Sequence, residues 1–309
     1  MASTPKVSVC IPIFNGAGYI RGALDSVFQQ KYQDFEVVIV DNCSTDQTEA
    51  LVAELSSQSE KICFFRNEQN IGLAGNLDKC LEYARGDYIK YLCVDDLLLP
   101  GCLEQMVVEL DTHPEVSLVC GGRLGINESG RAFSLQRYSS RKEIIPGHEA
   151  ITRCLYGRNY IGEPSAVMFR KSDVLEGFRD DLPQVMDMEL WFRLLETGKL
   201  MSIESPLCSV RFHDAQMTRK NIKAGSLVDD NIRVFLEYSV KSYIDVSPWL
   251  VIRHKLLMTY RVWISRRYIT HEKSSLVLKM FGIPYLYPFM PVISLILVIY
   301  RKIAVRDRV

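Results

Sequence analysis

None of the nine cysteines (Cys10, Cys43, Cys63, Cys80, Cys93, Cys102, Cys120, Cys154 and Cys208) stands in a CxxC pair or at a metal-type spacing from histidine. That pattern excludes a zinc module and a disulfide framework and fits free thiols in a reducing compartment. Neither sign of charge prevails, since 37 lysines and arginines meet 37 aspartates and glutamates. A chain without a global field is not drawn to nucleic acid or to an acidic surface, so its function must rest on local sites. The opening residues, Met1 to Lys6, lack the basic region and apolar stretch of a signal peptide, and the catalytic part is expected to stay in the cytoplasm. Internal repeats and low-complexity tracts are also missing, which excludes a repeat array.

Charge itself is missing from one long run. No charged residue occurs from Met280 to Tyr300, and Arg301, Lys302, Arg306 and Arg308 follow closely. The run is nearly membrane length, but Pro284, Pro288 and Pro291 break its first half, which favours a re-entrant or interfacial segment over a straight spanning helix. The segment near 281–300 is therefore expected to hold the protein on the cytoplasmic face of a membrane. The basic residues that follow suit an anionic lipid surface, as do Arg261, Arg266 and Arg267 among Tyr260, Trp263 and Tyr268. The alternative is a helical hairpin on the core or a homo-oligomer interface.

What the chain has in abundance is apolar material, 48% of 309 residues, enough for a full core. Short β-rich runs alternate with amphipathic ones: Lys6–Ile13, Tyr19–Gln29, Phe35–Asp41, Asp46–Ser56, Ile62–Asn67, a helix near Ala74–Ala84 ended by Gly86, and Tyr88–Cys93. Such alternation predicts an α/β fold with a mostly parallel central sheet. A helix near Gly101–Thr112 and a strand at Glu115–Gly121 come next, and Arg123 to Glu149 reads as irregular. A strand at Ser165–Arg170, a helix at Met188–Thr197 and two short strands within Lys199–His213 complete the series. From Leu227 onward the pattern is helical. Ser44 with Gln47 forms a capping-box pattern before the second helix and puts Asp41 at the carboxyl end of a strand, the edge where open α/β sheets bind ligands.

Gly16-Ala17-Gly18 followed by Asp41 invites a dinucleotide-binding reading, but Arg21 occupies the third glycine position and Pro12-Ile13-Phe14-Asn15 is a stiff entry for a phosphate turn. Loop flexibility is the plainer account of those glycines. Asp95-Asp96 after the buried run Tyr91–Val94 is more informative. Adjacent carboxylates repel unless a cation joins them, and a divalent ion shared with a donor's phosphates would supply it. A solvated turn before the helix opened by Pro100 is the competing reading.

The runs Val7–Asn15, Ile39–Asp46, Arg66–Gly72 and Ala84–Tyr88, the last leading into Asp95-Asp96, together resemble the family 2 inverting glycosyltransferases of GT-A fold. The resemblance covers roughly the first 215 residues. It implies that Pro12, Phe14 and Asn15 shape a nucleoside pocket, that Asp41 accepts from the base, that Asn70 and Gly72 border the nucleotide, that Asp95 lies near the ribose and that Asp96 binds a divalent cation, Mn2+ or Mg2+. Met186–Leu194 resembles the segment that carries the family's catalytic base, here Asp187, for which a helix N-cap is the structural alternative. Arg211-Phe212-His213 resembles the late motif whose histidine approaches the metal. Glu163, in Gly162–Ser165, matches the acceptor side.

The expected organisation is a GT-A catalytic domain over residues 1–215 and a helical region over 216–309. The expected reaction is transfer of a sugar from a nucleoside-diphosphate sugar, a UDP-sugar, to a hydroxyl of a glycan or lipid-linked acceptor. A nucleotide-sugar-binding protein that has lost turnover is one alternative, favoured by Cys93 and Met186 where the family carries acids and opposed by Asp95, Asp96 and Asp187. A nucleotidyltransferase is another, opposed by the lack of a basic residue in Phe14–Ala17.

Overall fold

Strands whose apolar run is unbroken need cover on both faces. In the computed structural model, which describes residues 4–214 and 216–292, the strands β1 (Val7–Ile13) and β2 (Phe35–Asp41) are buried along their whole length. The helices α1 (Ile20–Phe28) and α2 (Thr48–Ser56) follow them, then β3 (Ile62–Arg66), α3 (Gly72–Tyr83), β4 (Tyr88–Tyr91), β5 (Leu97–Leu98) and α4 (Cys102–Thr112). The chain continues through β6 (Val116–Ile126), β7 (Ala132–Gln136), β8 (Glu143–Pro146), α5 (Gly147–Leu155), β9 (Val167–Arg170), α6 (Met186–Thr197) and β10 (Lys199–Arg211).

The strands form one ten-stranded sheet of order β3-β2-β1-β4-β9-β6-β10-β5, with β7 added to β6 and β8 to β10. β1 pairs in parallel with β2 on one side and with β4 on the other. The strand order therefore reverses at β1, and the crevice at its carboxyl end is where an open α/β sheet binds a ligand. β9 runs antiparallel between β4 and β6, so the sheet is mostly and not wholly parallel. Val9, Ile11, Ile20, Leu24, Ile39, Leu103, Met106 and Val119 belong to its main apolar core.

Sequence periodicity misplaced several elements. Arg123–Glu149 is not irregular: β6 extends to Ile126, and β7, β8 and the start of α5 lie within the same stretch. Polar side chains hide these strands because β7 is largely exposed, while Arg123 is buried as a charged residue. Lys199–His213 is not two strands but one, with register shifts between Ser202 and Cys208 around Pro206. Pro206, which has no N–H to donate, sits at the irregularity.

The chain divides into two units. The sheet unit comprises Met1–Ile151 and Asn159–Phe212; the other comprises Thr152–Arg158 and His213–Val309. The second unit holds α7 (Met217–Lys223), α8 (Ser226–Tyr238), α9 (Pro248–Ser265), α10 (His271–Phe281) and a 3-10 turn at Pro284–Phe289. Val228, Met258, Val262, Val277 and Leu278 form its core. Ser247 and Thr270 cap α9 and α10 by accepting from Leu250 and Lys273 backbone N–H groups. No helix among the described residues is long and apolar enough to cross a membrane. The second half of the expected apolar segment, with Arg301, Lys302, Arg306 and Arg308, lies outside the described residues.

Gly86 does not end α3 as a left-handed cap. α3 stops at Tyr83, Ala84 is extended, and a β-carbon on Gly86 would lie 2.6 Å from the Ser8 nitrogen and 2.7 Å from the Val7 carbonyl carbon. Backbone cannot yield to it, because the Gly86 N–H also donates to Ser8 Oγ (2.8 Å) and that hydroxyl donates to the buried Glu36 (2.6 Å). Gly86→Ala is expected to lower unfolding free energy by about 1–3 kcal/mol, seen as a lower urea midpoint with an unchanged m-value. A midpoint equal to that of wild type would show that the β1–β4 approach is looser than described.

Candidate active site

The loops after β1 and β2 lock together. Asn15 has a left-handed backbone (φ 51°), a conformation asparagine tolerates better than most residues. Its Oδ1 accepts from Thr45 N (2.8 Å), and its own N–H donates to Ser44 Oγ (2.8 Å). Gly16 N donates to Thr48 Oγ1 (3.0 Å). The expected Ser44–Gln47 capping box does not form: α2 begins at Thr48, whose N–H donates to Asp46 Oδ1 (3.0 Å). Ser44 is instead taken up by Asp41.

Asp41, at the carboxyl end of β2, is fully buried. Its Oδ1 accepts from the Ser44 N–H (3.1 Å) and hydroxyl, and its Oδ2 accepts from Arg66 Nη1 (2.8 Å). Arg66 also meets Glu49 (2.7 Å). A buried carboxylate is sustained by such a partner and by donors to its remaining lone pairs. Asn42, next in the chain, donates to Asn70 Oδ1 (2.9 Å) and Gly72 O (3.0 Å) and accepts from Asn67 (3.1 Å) and Ile71 N (2.9 Å). Asn67 in turn donates to Asn76, and Asn76 to Val40 O. This asparagine network ties the Asn70–Gly72 loop to the end of β2. Pro12 is buried within β1, whereas Phe14, Asn70 and Gly72 are exposed.

Asp95 and Asp96 follow β4 on the other side of β1. Asp96 is buried, and its Oδ1 accepts from Arg211 N (2.9 Å). The Ser165 hydroxyl also bonds its carboxylate and accepts from Cys93 N (2.9 Å). Burial above all, and then the Asp95 charge, push its pKa well above the usual carboxylate range. A buried carboxylate beside another and lacking a side-chain cation is a fit for a metal ion, which would remove both penalties. Among the described residues no group of three or more His, Cys, Asp or Glu gathers to hold a metal, so phosphates and water would have to complete the shell. Arg211 clamps this loop, Nε donating to Asp95 O (3.0 Å) and Nη1 to Asn127 O and Glu128 O. His213, the expected further ligand, is the first residue after the strand unit and belongs to the second unit.

Asp187 is partly buried in the first turn of α6, not at its N-cap, a position held by Val185. Its Oδ1 accepts from Met188 N (2.7 Å) and its Oδ2 from Asn159 Nδ2 (3.3 Å). Burial is the main cause that lifts its pKa to about 7, with Glu163 adding and Met188 N–H and Arg123 opposing. Glu163 lies 2.5 Å from Arg123 Nε.

The sequence reading passed over Arg66, Asn42, Asn67, Ser165, Arg211, Asn159 and Arg123. Arg66, Asn42, Asn67, Ser165 and Arg211 lie within the runs that carried the resemblance and could have been marked there. Nothing local in the sequence marks Asn159 or Arg123.

Known proteins bear on this geometry. An uncharacterized protein of Mycobacterium tuberculosis is 33% identical over 237 residues, 71% of this chain and 72% of that protein. An uncharacterized glycosyltransferase of Rickettsia typhi is 31% identical over 220 residues, 70% of this chain and 66% of that protein. Among solved structures, S. aureus TarS 1–349 in complex with UDP-GlcNAc shares the fold at a TM-score of 0.59 and 16% identity, covering 97% of this chain and 89% of that one. So does the mannosyltransferase PcManGT from Pyrobaculum calidifontis in complex with GDP-Man and Mn2+, at 0.56 and 18%, covering 99% and 87%. The fold is thus GT-A. The pattern of Glycosyl transferase family 2 matches residues 8–178, the span that contains Asp41, Arg66, Asp95, Asp96 and Glu163, and the chain belongs to that family.

Proposed function

We propose that the protein transfers a sugar, with inversion, from a nucleoside-diphosphate sugar to an acceptor hydroxyl, with Asp187 as the base. The observation that carries this reading is the contrast between the carboxylates at one edge of the sheet. Asp41 is paired with Arg66, Asp96 is left short of positive charge, and Asp187 is poised near pH 7. Such divergence is what one site needs to read a base, bind a cation and take up a proton. Bound UDP-GlcNAc and GDP-Man in the two related structures support a nucleotide-sugar donor.

Asp41 Oδ2, which takes one donor from Arg66, has a lone pair left for a ring N–H of the donor's base, with uracil the preferred reading. Pro12, Phe14 and Asn15 bound the base, Asn70 and Gly72 the nucleotide's far side, and Asp95 the ribose. Asp96, with Asp95 beside it, would hold Mn2+ or Mg2+, which when bound offsets the charge of the leaving diphosphate. Asp187 removes the acceptor hydroxyl's proton. That oxygen attacks the anomeric carbon from the face opposite the diphosphate, and the sugar–phosphate C–O bond breaks with its electron pair going to the diphosphate. Glu163 faces the acceptor, whose class is a glycan or lipid-linked glycan of the cell envelope.

The second unit supports work at the cytoplasmic face of a membrane. α9 buries His254, Met258 and Val262 and turns Trp249 (68% exposed), Ile252 and Leu256 outward. Leu276, Met280, Tyr285 and Phe289 are exposed beyond it. Lys255, Arg266, Arg267 and Lys279 are exposed as well, and Glu272 is the sole acid from Pro248 to Val292. An outward face of this composition suits an anionic lipid surface. Arg261 does not join it, since its guanidinium donates to Gly157 O (3.3 Å) and burial lowers its pKa to about 10.

Asp96→Ala is expected to weaken Mn2+-supported donor binding by roughly 10-fold or more, read by calorimetry. Donor binding that is undiminished in this variant with chelator present would reject the metal assignment. Asp187→Asn should keep donor affinity and lose roughly 100- to 10,000-fold in kcat. Because the base must be ionised, wild-type log kcat/KM should fall with unit slope as pH drops below about 7. A profile flat from pH 8 to pH 5 would move the proton to another group. Full-length protein should pellet with anionic and not with zwitterionic vesicles, and Trp249→Glu with Leu256→Glu should abolish this. Protein that stays in the supernatant with anionic vesicles at low salt would favour a homo-oligomer interface instead.

A further inference from the structure

Arg123 lies in β6, and with its side chain 4% exposed it is almost wholly out of water. A guanidinium in that position must be met by acceptors, and it cannot shed its charge. Its partners are concentrated in one short loop. Nε stands 2.5 Å from Glu163 Oε2 as an ion pair, Nη1 donates to Tyr160 O (3.3 Å), and Nη2 donates to Asn159 O (3.2 Å) and to Gln136 Oε1 (3.4 Å). Gly162 in this loop has φ +124°, and a β-carbon there would come within 3.0 Å of Arg123 Nη1. The loop is thus folded around the guanidinium.

The other side of the same loop holds the proposed base. Asn159 Nδ2 donates to Asp187 Oδ2 (3.3 Å) and to Gly162 O (3.1 Å), while its Oδ1 accepts from Gly162 N (2.9 Å). Trp191, fully buried one helical turn beyond Asp187, donates its indole N–H to Gly162 O (3.1 Å). The Asp187 carboxylate is fixed at one oxygen by its own helix, through Met188 N, and at the other by a loop that Arg123 holds from the sheet.

We infer that Arg123 is a positioning residue for sugar transfer: it holds the 159–163 loop so that Asn159 fixes the free oxygen of Asp187, and it keeps Glu163 paired beside the base. The inference rests on Asp187 being the base. Arg123 also sets when that base is available. Glu163 from the loop and Arg123 from β6 are the charges that bear on Asp187, and Glu189 on the same helix is engaged by Arg193 (3.0 Å). Removal of the guanidinium leaves Glu163 uncompensated next to Asp187, and both losses disfavour the ionised base.

The test is the pH dependence of kcat/KM for Arg123→Met, Arg123→Lys and Arg123→Met/Glu163→Gln, each first shown by calorimetry to bind donor as wild type does. Arg123→Met should lose roughly 10- to 100-fold in kcat with donor KM unchanged, and its acid limb should move up by about one pH unit. Arg123→Lys, which keeps charge and gives up the fork, should return the limb to its wild-type position while kcat stays low. The double variant should return the limb as well. Should Arg123→Met fail to fold, Asn159→Ala leaves the ion pair in place and should show the same loss of kcat at unchanged donor KM. An acid limb and kcat within twofold of wild type in the variants of Arg123, or in Asn159→Ala when it stands in, would overturn the inference. Full turnover by Asp187→Asn would instead overturn the assignment of the base, which keeps the two failures apart.

Discussion

Asp41, Asp96 and Asp187 all stand largely out of water at the carboxyl edge of one sheet, and each meets a different answer to the cost of burying charge. Asp41 receives a guanidinium and the Ser44 donors. Asp96 receives a backbone N–H and a hydroxyl but faces another carboxylate, so its ionised form is disfavoured. Asp187 receives one backbone N–H and one amide, enough to keep it near the middle of its titration at neutral pH. Donor type and number around each group, more than the residue type, separate the three settings.

The scaffold serves these differences through two junctions. β9 enters antiparallel between β4 and β6, and the turn before it brings Ser165 to the Asp96 loop. Lys90, wholly buried in β4, secures that turn by donating to Ser165 O (2.5 Å) and Tyr91 O (3.2 Å). Arg211, at the end of the long strand β10, fastens the same loop from the other side. A carboxylate pair flanked by such fixed donors costs little reorganisation when charge arrives, the condition under which electrostatic stabilisation is most effective.

The second unit follows another logic. Its helices enclose an aromatic cluster in which His254 stacks on Phe235 (4.1 Å between centroids) and meets Tyr156 edge-on. Burial lowers the His254 pKa to about 4, so the ring packs as a neutral aromatic at physiological pH. This histidine is a core residue of the second unit.

By itself the sequence determined the strand–helix alternation, the mostly parallel sheet and the family, because buried strands leave unbroken apolar runs and because Asp41, Asp95, Asp96 and Asp187 sit within short motifs. The expectations for Phe14, Asn15, Asn70 and Gly72 rest on the same short motifs. Local pattern failed where stabilisation is non-local. β7 and β8 draw their pairing from distant strands and carry polar residues, the Ser44–Gln47 pattern yielded to Asp41, and Gly86 answers to Ser8 and not to its own helix. Only the tertiary structure could decide that Arg66 belongs to Asp41, that Ser165 and Arg211 belong to Asp96, and that Arg123 and Asn159 belong to Asp187. Those partners lie between 25 and 115 residues apart, and a hydrogen bond or ion pair across such a separation leaves no periodicity in the chain; only folding gives it a distance.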